Sequence, residues 1–517
     1  MRTLLDDFSK NRVLWITLGI LGALLLLATQ SMQLDDWLLT VLRGVAMGAV
    51  IFLAAAGLSL IFGLMDVLNL AHGTLFMIGA YVGWSAYVRP DTIVDLTTPV
   101  LLLTAGFLAL PGLQALIDHW TLPPAVARVW PWIAAGAALA LAAGVLPQYP
   151  ISIWNAGVYE QSPVVWGLAL EQGTLVPPEP ATFGGLHPIA AVTALLAVGG
   201  LGALAIAGWR TQPSGARAPL SAWALAGSVA LVGIGLLVVN DALTAWLFGL
   251  DTTWRFGFAI VVAVVVGMAL GGLMESTLIR STYSRPIYQL MLTLGLGVIG
   301  MQAVIAIWGR PQISMVKPTL FNGTGDGCPA RSLGDWLANQ CATIILFDAR
   351  VRVYNELFII AIGLIVLVAI SLVLGRSRLG MIIRAGVQDR AMVEALGINV
   401  QRVFTLVFAV GTGLAALGGV LSGPSTGLTE GMGESLLLLA LIALAIGGLT
   451  SFPGAAAGAV LVGLLQQFMV KYGQIGIPLP FIEEPFKPTP PLVPASTVLL
   501  MVVILLVLPQ GLFGRKE

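Results

Sequence analysis

Charge is scarce in this chain. Only 10% of its 517 residues are Asp, Glu, Lys or Arg, against roughly 25% in a soluble domain, and the two signs balance at 25 each. Too few charged groups remain to keep a soluble fold's surface in water. The neutral total leaves no basic face for nucleic acid, so that partner class is excluded. Histidine occurs three times, at His72, His119 and His187, and cysteine twice. There is no HExxH zinc motif, no glycine-rich phosphate loop ending in Gly-Lys-Ser or Gly-Lys-Thr, and no pair of acidic residues inside one apolar run. These absences remove the sequence signatures of a zinc hydrolase, of a nucleotide site and of a carboxylate proton relay.

What is abundant is apolar surface: 58% of the residues are hydrophobic and the mean hydropathy is +0.94. Apolar runs recur near 13–29, 41–64, 67–87, 98–117, 131–146, 186–208 and 219–239, then 256–279, 288–308, 355–375, 403–422, 435–450, 454–470 and 496–512. Each approaches the ~20 residues an α-helix needs to cross a bilayer core. The pattern predicts an all-α, polytopic transmembrane bundle of about 14 spans. Arg2, Lys10 and Arg12 precede the first run, but Thr29–Gln30–Ser31–Met32 offers no small-residue cleavage site, so this run reads as a retained helix.

Lys and Arg concentrate in short cytoplasmic loops of membrane proteins. With the N-terminus inside, Arg128, Arg210, Arg217, Arg280, Arg285, Arg376, Arg378, Arg384, Arg390, Arg402, Arg515 and Lys516 also fall inside. That orientation puts both termini in the cytoplasm. It also places the polar connector 309–354, with Cys328 and Cys341, on the outer face. Two cysteines in an oxidising compartment, without a neighbouring histidine, read as a disulfide in preference to a metal site; free thiols are the alternative. The chain divides by texture into 1–40, an extra N-terminal helix and connector, 41–88, the first part of a core, 89–254, an accessory helical insertion, and 255–517, the second part of the core. The last part holds the outer connector and a basic cytoplasmic loop, 376–402.

Two polar clusters stand out. Asp66, Asn69, His72, Gly73 and Thr74 lie where two apolar runs meet with almost no connector. Asn69 and His72, three apart, would share a helix face. One reading makes this a broken helix at a substrate path; the other makes it a polar cap on a tight helical hairpin. In the basic loop, residues Gln388–Leu396 suit a short helix with Ala391 and Ala395 on one face, Gly397 as its stop, and Arg384, Asp389, Arg390 and Glu394 around it. A small-residue face ringed by charge suits docking into a partner's groove, and a solvated surface helix obeying the positive-inside rule is the plainer alternative. The 61 glycines cluster within the spans, as with Gly454 and Gly458, where small residues allow helices to approach closely. Pro453 suits the first turn of the helix that follows it.

Four segments together resemble the permease family of bacterial branched-chain amino acid ABC importers: GLSLIFGLMDVLNLAHGTLFMIGAYVG, RPIYQLMLTLGLGVIG, RAGVQDRAMVEALGINVQRVFTLVFAVGTGLAALGGVLSG and GGLTSFPGAAAGAVLVGLL. The resemblance covers about 41–88 and 255–514. It implies an ATP-driven importer of branched-chain or other hydrophobic amino acids, or, as in close relatives, of urea or short amides. It implies no catalysis by this chain and no cofactor on it, ATP being bound by separate ATP-binding cassette subunits. The other implied partners are a second related permease subunit, since the motifs occur once, an external substrate-binding protein, and the lipid of the bacterial inner membrane. It places the coupling contact on Arg384, Asp389, Arg390, Ala391, Glu394, Ala395 and Gly397, and the substrate path near Asn69, His72, Gly73 and Thr74. Two rivals remain from the residues alone. An ion-coupled secondary transporter needs intramembrane carboxylates, whereas Asp66 and Glu275 sit near span ends; a lipid-modifying enzyme needs a His, Asp or Glu cluster at one interface.

Overall fold

The computed structural model describes residues 19, 22, 32–117, 123–152, 162–209, 220–283, 285–388, 390–477 and 484–513. The N-terminal run at 13–29 and Asp389 therefore lie outside the described residues, Gly19 and Gly22 apart. Helices dominate because lipid supplies no hydrogen-bond partners, so each apolar run must satisfy its own backbone. In chain order they are α1 Leu34–Met65, α2 His72–Val88, α3 Pro90–Leu108, α4 Leu110–Ile117, α5 Pro124–Val145, α6 Pro163–Glu171 and α7 Pro188–Trp209. There follow α8 Leu220–Gly249, α9 Thr252–Thr277, α10 Pro286–Trp308, α11 Leu333–Asn339, α12 Ile359–Arg376, α13 Arg378–Gln388 and α14 Arg390–Ala395. The last are α15 Val400–Thr426, α16 Met432–Gly447, α17 Phe452–Ile475 and α18 Leu492–Val507.

Among the described residues ten helices are long and apolar enough to cross a membrane. The apolar runs at 67–87, 435–450 and 496–512 form shorter helices, α2 with 17 residues and α16 and α18 with 16 each. At 1.5 Å per residue these reach about 25 Å, short of a ~30 Å hydrocarbon core. The expectation of about 14 spans thus resolves into ten full-length helices, three shorter ones and one run outside the described residues.

The chain forms two compact units, Met1–Trp84 with Thr252–Glu517, and Ser85–Asp251. In the second, α3, α5, α7 and α8 pack side by side around Leu102, Val145, Tyr149, Ala191 and Leu195. Gly106 and Gly199 let α3 and α7 touch backbone to backbone. At one end of this unit Arg89 grips Asp91 through Nε and Nη2, the latter 2.6 Å from Oδ2, and stacks 4.2 Å over the Trp166 ring. Ser152 donates through Oγ to Asp91 and through its backbone N–H to Asp95, and Asn240 donates to the other Asp95 oxygen at 3.1 Å. Each buried carboxylate there is held by hydrogen bonds, which is what a low-dielectric setting demands.

In the first unit α1 is the central element: every residue from Gly48 to Ile61 is buried. It packs against α17, where Gly44 meets Leu464 and Gly48 meets Val460, and against α15, where Gly57 and Gly411 face one another. Helix α9 packs along α15 in the same manner, Gly267 and Gly271 lying on Ala416 and Thr412. Helices without a hydrophobic drive between them associate by such close approach. Ser451 caps α17 by accepting from the Gly454 N–H at 3.1 Å, with Pro453 in the first turn. The opposite faces carry exposed Val261, Leu294, Ile365 and Leu506, as lipid contact requires.

The polar connector between α10 and α12 is ordered. It holds α11 and a hairpin of β1 Thr343–Leu346 with β2 Ala349–Arg352, antiparallel, turning at Phe347 and Asp348 with φ of 49° and 63°. Two consecutive positive φ values suit the right-handed twist of a two-residue hairpin. Cys328 and Cys341 are joined by a disulfide across this connector. Ile313 pairs with Leu428 through two backbone hydrogen bonds, 3.0 and 2.8 Å, which tie the connector to the link between α15 and α16.

Candidate functional site

The segment between α1 and α2 breaks the helical path inside the first unit. Asp66 caps α1 in the left-handed conformation, φ 52°, and the chain stays non-helical until α2 begins at His72. The shared helix face expected for Asn69 and His72 does not form, because Asn69 lies in the connector. Its Oδ1 accepts from the Ala71 N–H at 3.0 Å, a local turn that a short amide side chain makes readily. His72, fully buried, places Nε2 3.1 Å from the Ala54 carbonyl of α1. Val67 and Ala71 anchor the same connector in an apolar cluster with Ile61, Met274, Ile279 and Phe408. Thr74 donates to the Gly297 carbonyl at 3.2 Å and the Leu70 N–H donates to Thr293 Oγ1 at 3.3 Å, so the start of α2 is fastened to α10.

Two polar atoms in this turn, Asn69 Nδ2 and His72 Nδ1, are buried with no hydrogen-bond partner among the described residues. An unmet donor or acceptor in such a place is expensive unless something else meets it. Gly73 shows why glycine stands here: a Cβ on it would strike the Gly433 carbonyl oxygen and Leu437, and a Cβ on Gly433 would strike the Gly73 carbonyl oxygen and Met77. The contact is reciprocal. It brings together the first turns of two helices, α2 and α16, that both begin after a non-helical stretch, so the positive ends of both helix dipoles lie beside each other.

One helical turn beyond His72, Phe76 lines a cavity of about 550 Å3 between α1, α15, α16 and the start of α12. Arg43, Arg352 and Glu356 supply its charge, and Ser422, Ser425 and Thr429 its hydroxyls. Glu356 belongs to a π-helical turn, Val353–Phe358, that opens the α12 span. Nearby in the connector, burial, with Arg352 adding repulsion and Glu356 opposing it, lowers the Lys317 ammonium below the usual lysine range. No short-range pattern marks this cavity, because Arg43 and Glu356 in its wall are 313 positions apart.

The basic loop forms α13 and α14, ended by Gly397 at φ 82° with Asn399 capping α15. Arg384 donates to the Leu374 carbonyl at the end of α12. Val393 is buried against Val400 and Phe404, while Met392, Glu394, Ala395, Leu396 and Gly397 are exposed. Arg390 and Ala391 lie in α14, and of their side chains the structure describes nothing. Exposed apolar surface on this loop comes from Leu379 and Met381 of α13 and, around α14, from Met392 and Leu396, 58% and 71% exposed, residues outside the small-residue pattern. Beside this loop lies a second feature missed in the sequence. Glu275, fully buried at the end of α9, accepts from Arg280 at 2.9 Å, Tyr283 at 2.7 Å and Thr405 at 2.5 Å, joining α9 to α15. Among the described residues no three His, Cys, Asp or Glu side chains gather as a metal site.

The family model for the branched-chain amino acid transport system permease component matches residues 40–159 and 220–508, and the chain belongs to that family. It is a multi-pass membrane protein of the transport permease class. The high-affinity branched-chain amino acid transport system permease proteins LivH of Salmonella typhimurium and of Escherichia coli K12 are each 26% identical to it over 274 residues. That alignment covers 52% of this chain and 79% of each relative. The corresponding permease BraD of Pseudomonas aeruginosa is 30% identical over 165 residues, 32% of this chain and 49% of BraD. No solved structure matches the chain.

Proposed function

We propose that the chain is one membrane-spanning permease subunit of an ATP-driven importer for branched-chain or other hydrophobic amino acids. The observation that carries this is the meeting of two half-helices at Gly73 and Gly433, beside a cavity with an apolar wall and a small polar set, in a member of this permease family. Broken helices whose N-terminal ends face inward give a carboxylate a place within a bilayer without a fixed cation. Asn69, His72, Gly73 and Thr74 then border the path, and the connector end of the bundle faces outward, with both termini in the cytoplasm of the bacterial inner membrane. An external binding protein delivers the solute there, a second related permease completes the path, and ATP binds to partner subunits and not to this chain.

Coupling runs through α13 and α14. Closure of the ATP-binding subunits moves α14, Val393 passes the movement to α15 through Val400 and Phe404, and α15 carries Gly411 against α1 at the broken helix. The exposed pair Met392 and Leu396, with Ala395 between them in sequence, gives a partner groove its apolar anchor. The Ala391→Arg variant, with a bulky charge on α14, is expected to lose the co-purifying ATPase subunits in a pull-down from native membranes; assembly equal to wild type would remove the docking role from α14. His72→Ala is expected to slow uptake severalfold at normal expression, since the ring that fills the space above Gly57 is gone. Uptake at the wild-type rate would leave His72 with a packing role only.

A further inference from the structure

Glu356 is 2% exposed, and the charges that face it are those of Arg43 and Arg352. Oε1 receives Arg43 Nε at 3.3 Å, while Oε2 is buried with no hydrogen-bond partner among the described residues, in the wall of the cavity of about 550 Å3. Among the described residues Arg43 makes that one side-chain hydrogen bond and its side chain is 46% exposed, so most of its guanidinium donors remain available. A carboxylate oxygen removed from water asks for a cationic donor, and an arginine fork suits a carboxylate. The two groups, side by side, present what is complementary to the two ends of an α-amino acid. The rest of the wall fits the same molecule: Val50, Phe76, Ile359 and Leu436 form an apolar side, and Ser422 and Ser435 add hydroxyls. The volume is within the range of small-molecule sites.

We propose that this cavity is a station at which the permease holds a zwitterionic α-amino acid, Glu356 Oε2 accepting from its ammonium, Arg43 donating to its carboxylate, and its aliphatic side chain against Phe76 and Leu436. The inference rests on the importer reading above and narrows it. A neutral amide such as urea brings no ammonium to Glu356 Oε2 and no carboxylate to the arginine and is refused, as is a fatty acid or an alkylamine, each of which supplies only one of the two. The π-helical turn that bears Glu356 shifts Tyr354, Asn355 and Glu356 out of the α-helical register, and Tyr354 locks that turn by donating to the Leu421 carbonyl at 2.8 Å.

The test uses a single reporter thiol. Cys328 and Cys341 are joined to each other, so Ser425→Cys, on the exposed rim of the cavity, gives one reactive site in the full chain in lipid nanodiscs. L-leucine is expected to slow maleimide labelling severalfold, whereas 4-methylpentanoate, 3-methylbutylamine and urea leave the rate unchanged. Adding Glu356→Gln, nearly isosteric, is expected to abolish protection by leucine without altering the unprotected rate. Protection by the fatty acid, the alkylamine or urea equal to that by leucine would overturn the proposal, as would no protection by leucine or full protection in the Glu356→Gln chain. If Glu356→Gln fails to fold, the comparison of the four ligands on Ser425→Cys alone decides. ATPase subunits co-purifying with the same preparation separate the two readings: their presence without leucine protection removes the station and keeps the importer, and their absence from the unmutated chain removes the importer itself.

Discussion

Gly73→Leu is expected to remove the folded protein from the monodisperse fraction in mild detergent. A side chain at this position has nowhere to go: its first atom already meets the Gly433 carbonyl oxygen and Leu437 Cβ. The obstacle is backbone, which cannot change rotamer, so α2 and α16 must separate. Overpacking against side chains costs about 1–3 kcal/mol, and here the displaced elements also carry the fastenings to Gly297 and Thr293. Size-exclusion chromatography of a fluorescent fusion reads the result. Gly295→Ala in α10, where nothing lies within 4 Å of an added Cβ, is the matched control and is expected to elute as wild type. A monodisperse Gly73→Leu peak at wild-type height would mean that the two helix ends do not meet at this glycine.

Glu275→Ala is the second large effect. The carboxylate is fully buried and satisfies Arg280, Tyr283 and Thr405 together, with Arg280 Nη2 also donating to Thr405 at 2.7 Å. Removing one member of a buried pair leaves the others desolvated and unmet, typically about 3–5 kcal/mol, and the partial exposure of Arg280 places this case near ~3 kcal/mol. The melting temperature in detergent is expected to fall by several degrees, and by much less for Thr405→Ala, which removes hydrogen bonds but no charge. An unchanged melting temperature for Glu275→Ala would show that the network does not hold α9 to α15. The network lies beside the segment proposed for coupling, so weakening it also tests whether α15 must move as a unit with α9.

Much of this architecture is legible in the residues, for a specific reason. A bilayer leaves helices no choice but to close their own hydrogen bonds, so a run such as 355–375 becomes a helix wherever it packs. Local chemistry is equally readable: Ser451 and Pro453 announce the start of α17, and Gly397 the end of α14. The polar turn after α1 was visible as a break, but its form was not. Asn69 satisfies a backbone N–H two residues on instead of extending the helix, a choice made by Val67 and Ala71 sinking into the apolar cluster of α9 and α15.

The candidate site was less legible than the spans. Glu275 looked like a charge at a span end: Arg280 and Tyr283 lie close by in sequence, but the donor that ties it to α15, Thr405, is 130 residues away. Glu356 stood as a lone acidic residue at the start of the 355–375 run, because the cavity it faces is closed by Arg43 from α1 and by hydroxyls from α15. Nothing in the short-range pattern distinguishes a carboxylate that will meet water from one that will not.

By itself the sequence determined the class of this protein, the positions of its helices and the places where they break, because those follow from hydropathy and from backbone hydrogen bonding along contiguous residues. Only the tertiary structure decided which helices touch, that Gly57 meets Gly411 and Gly73 meets Gly433, and which charges end up sharing a cavity. Helices that are apolar on every face carry no directional signal, so their partners are chosen by shape, through glycines whose meaning depends on what lies opposite.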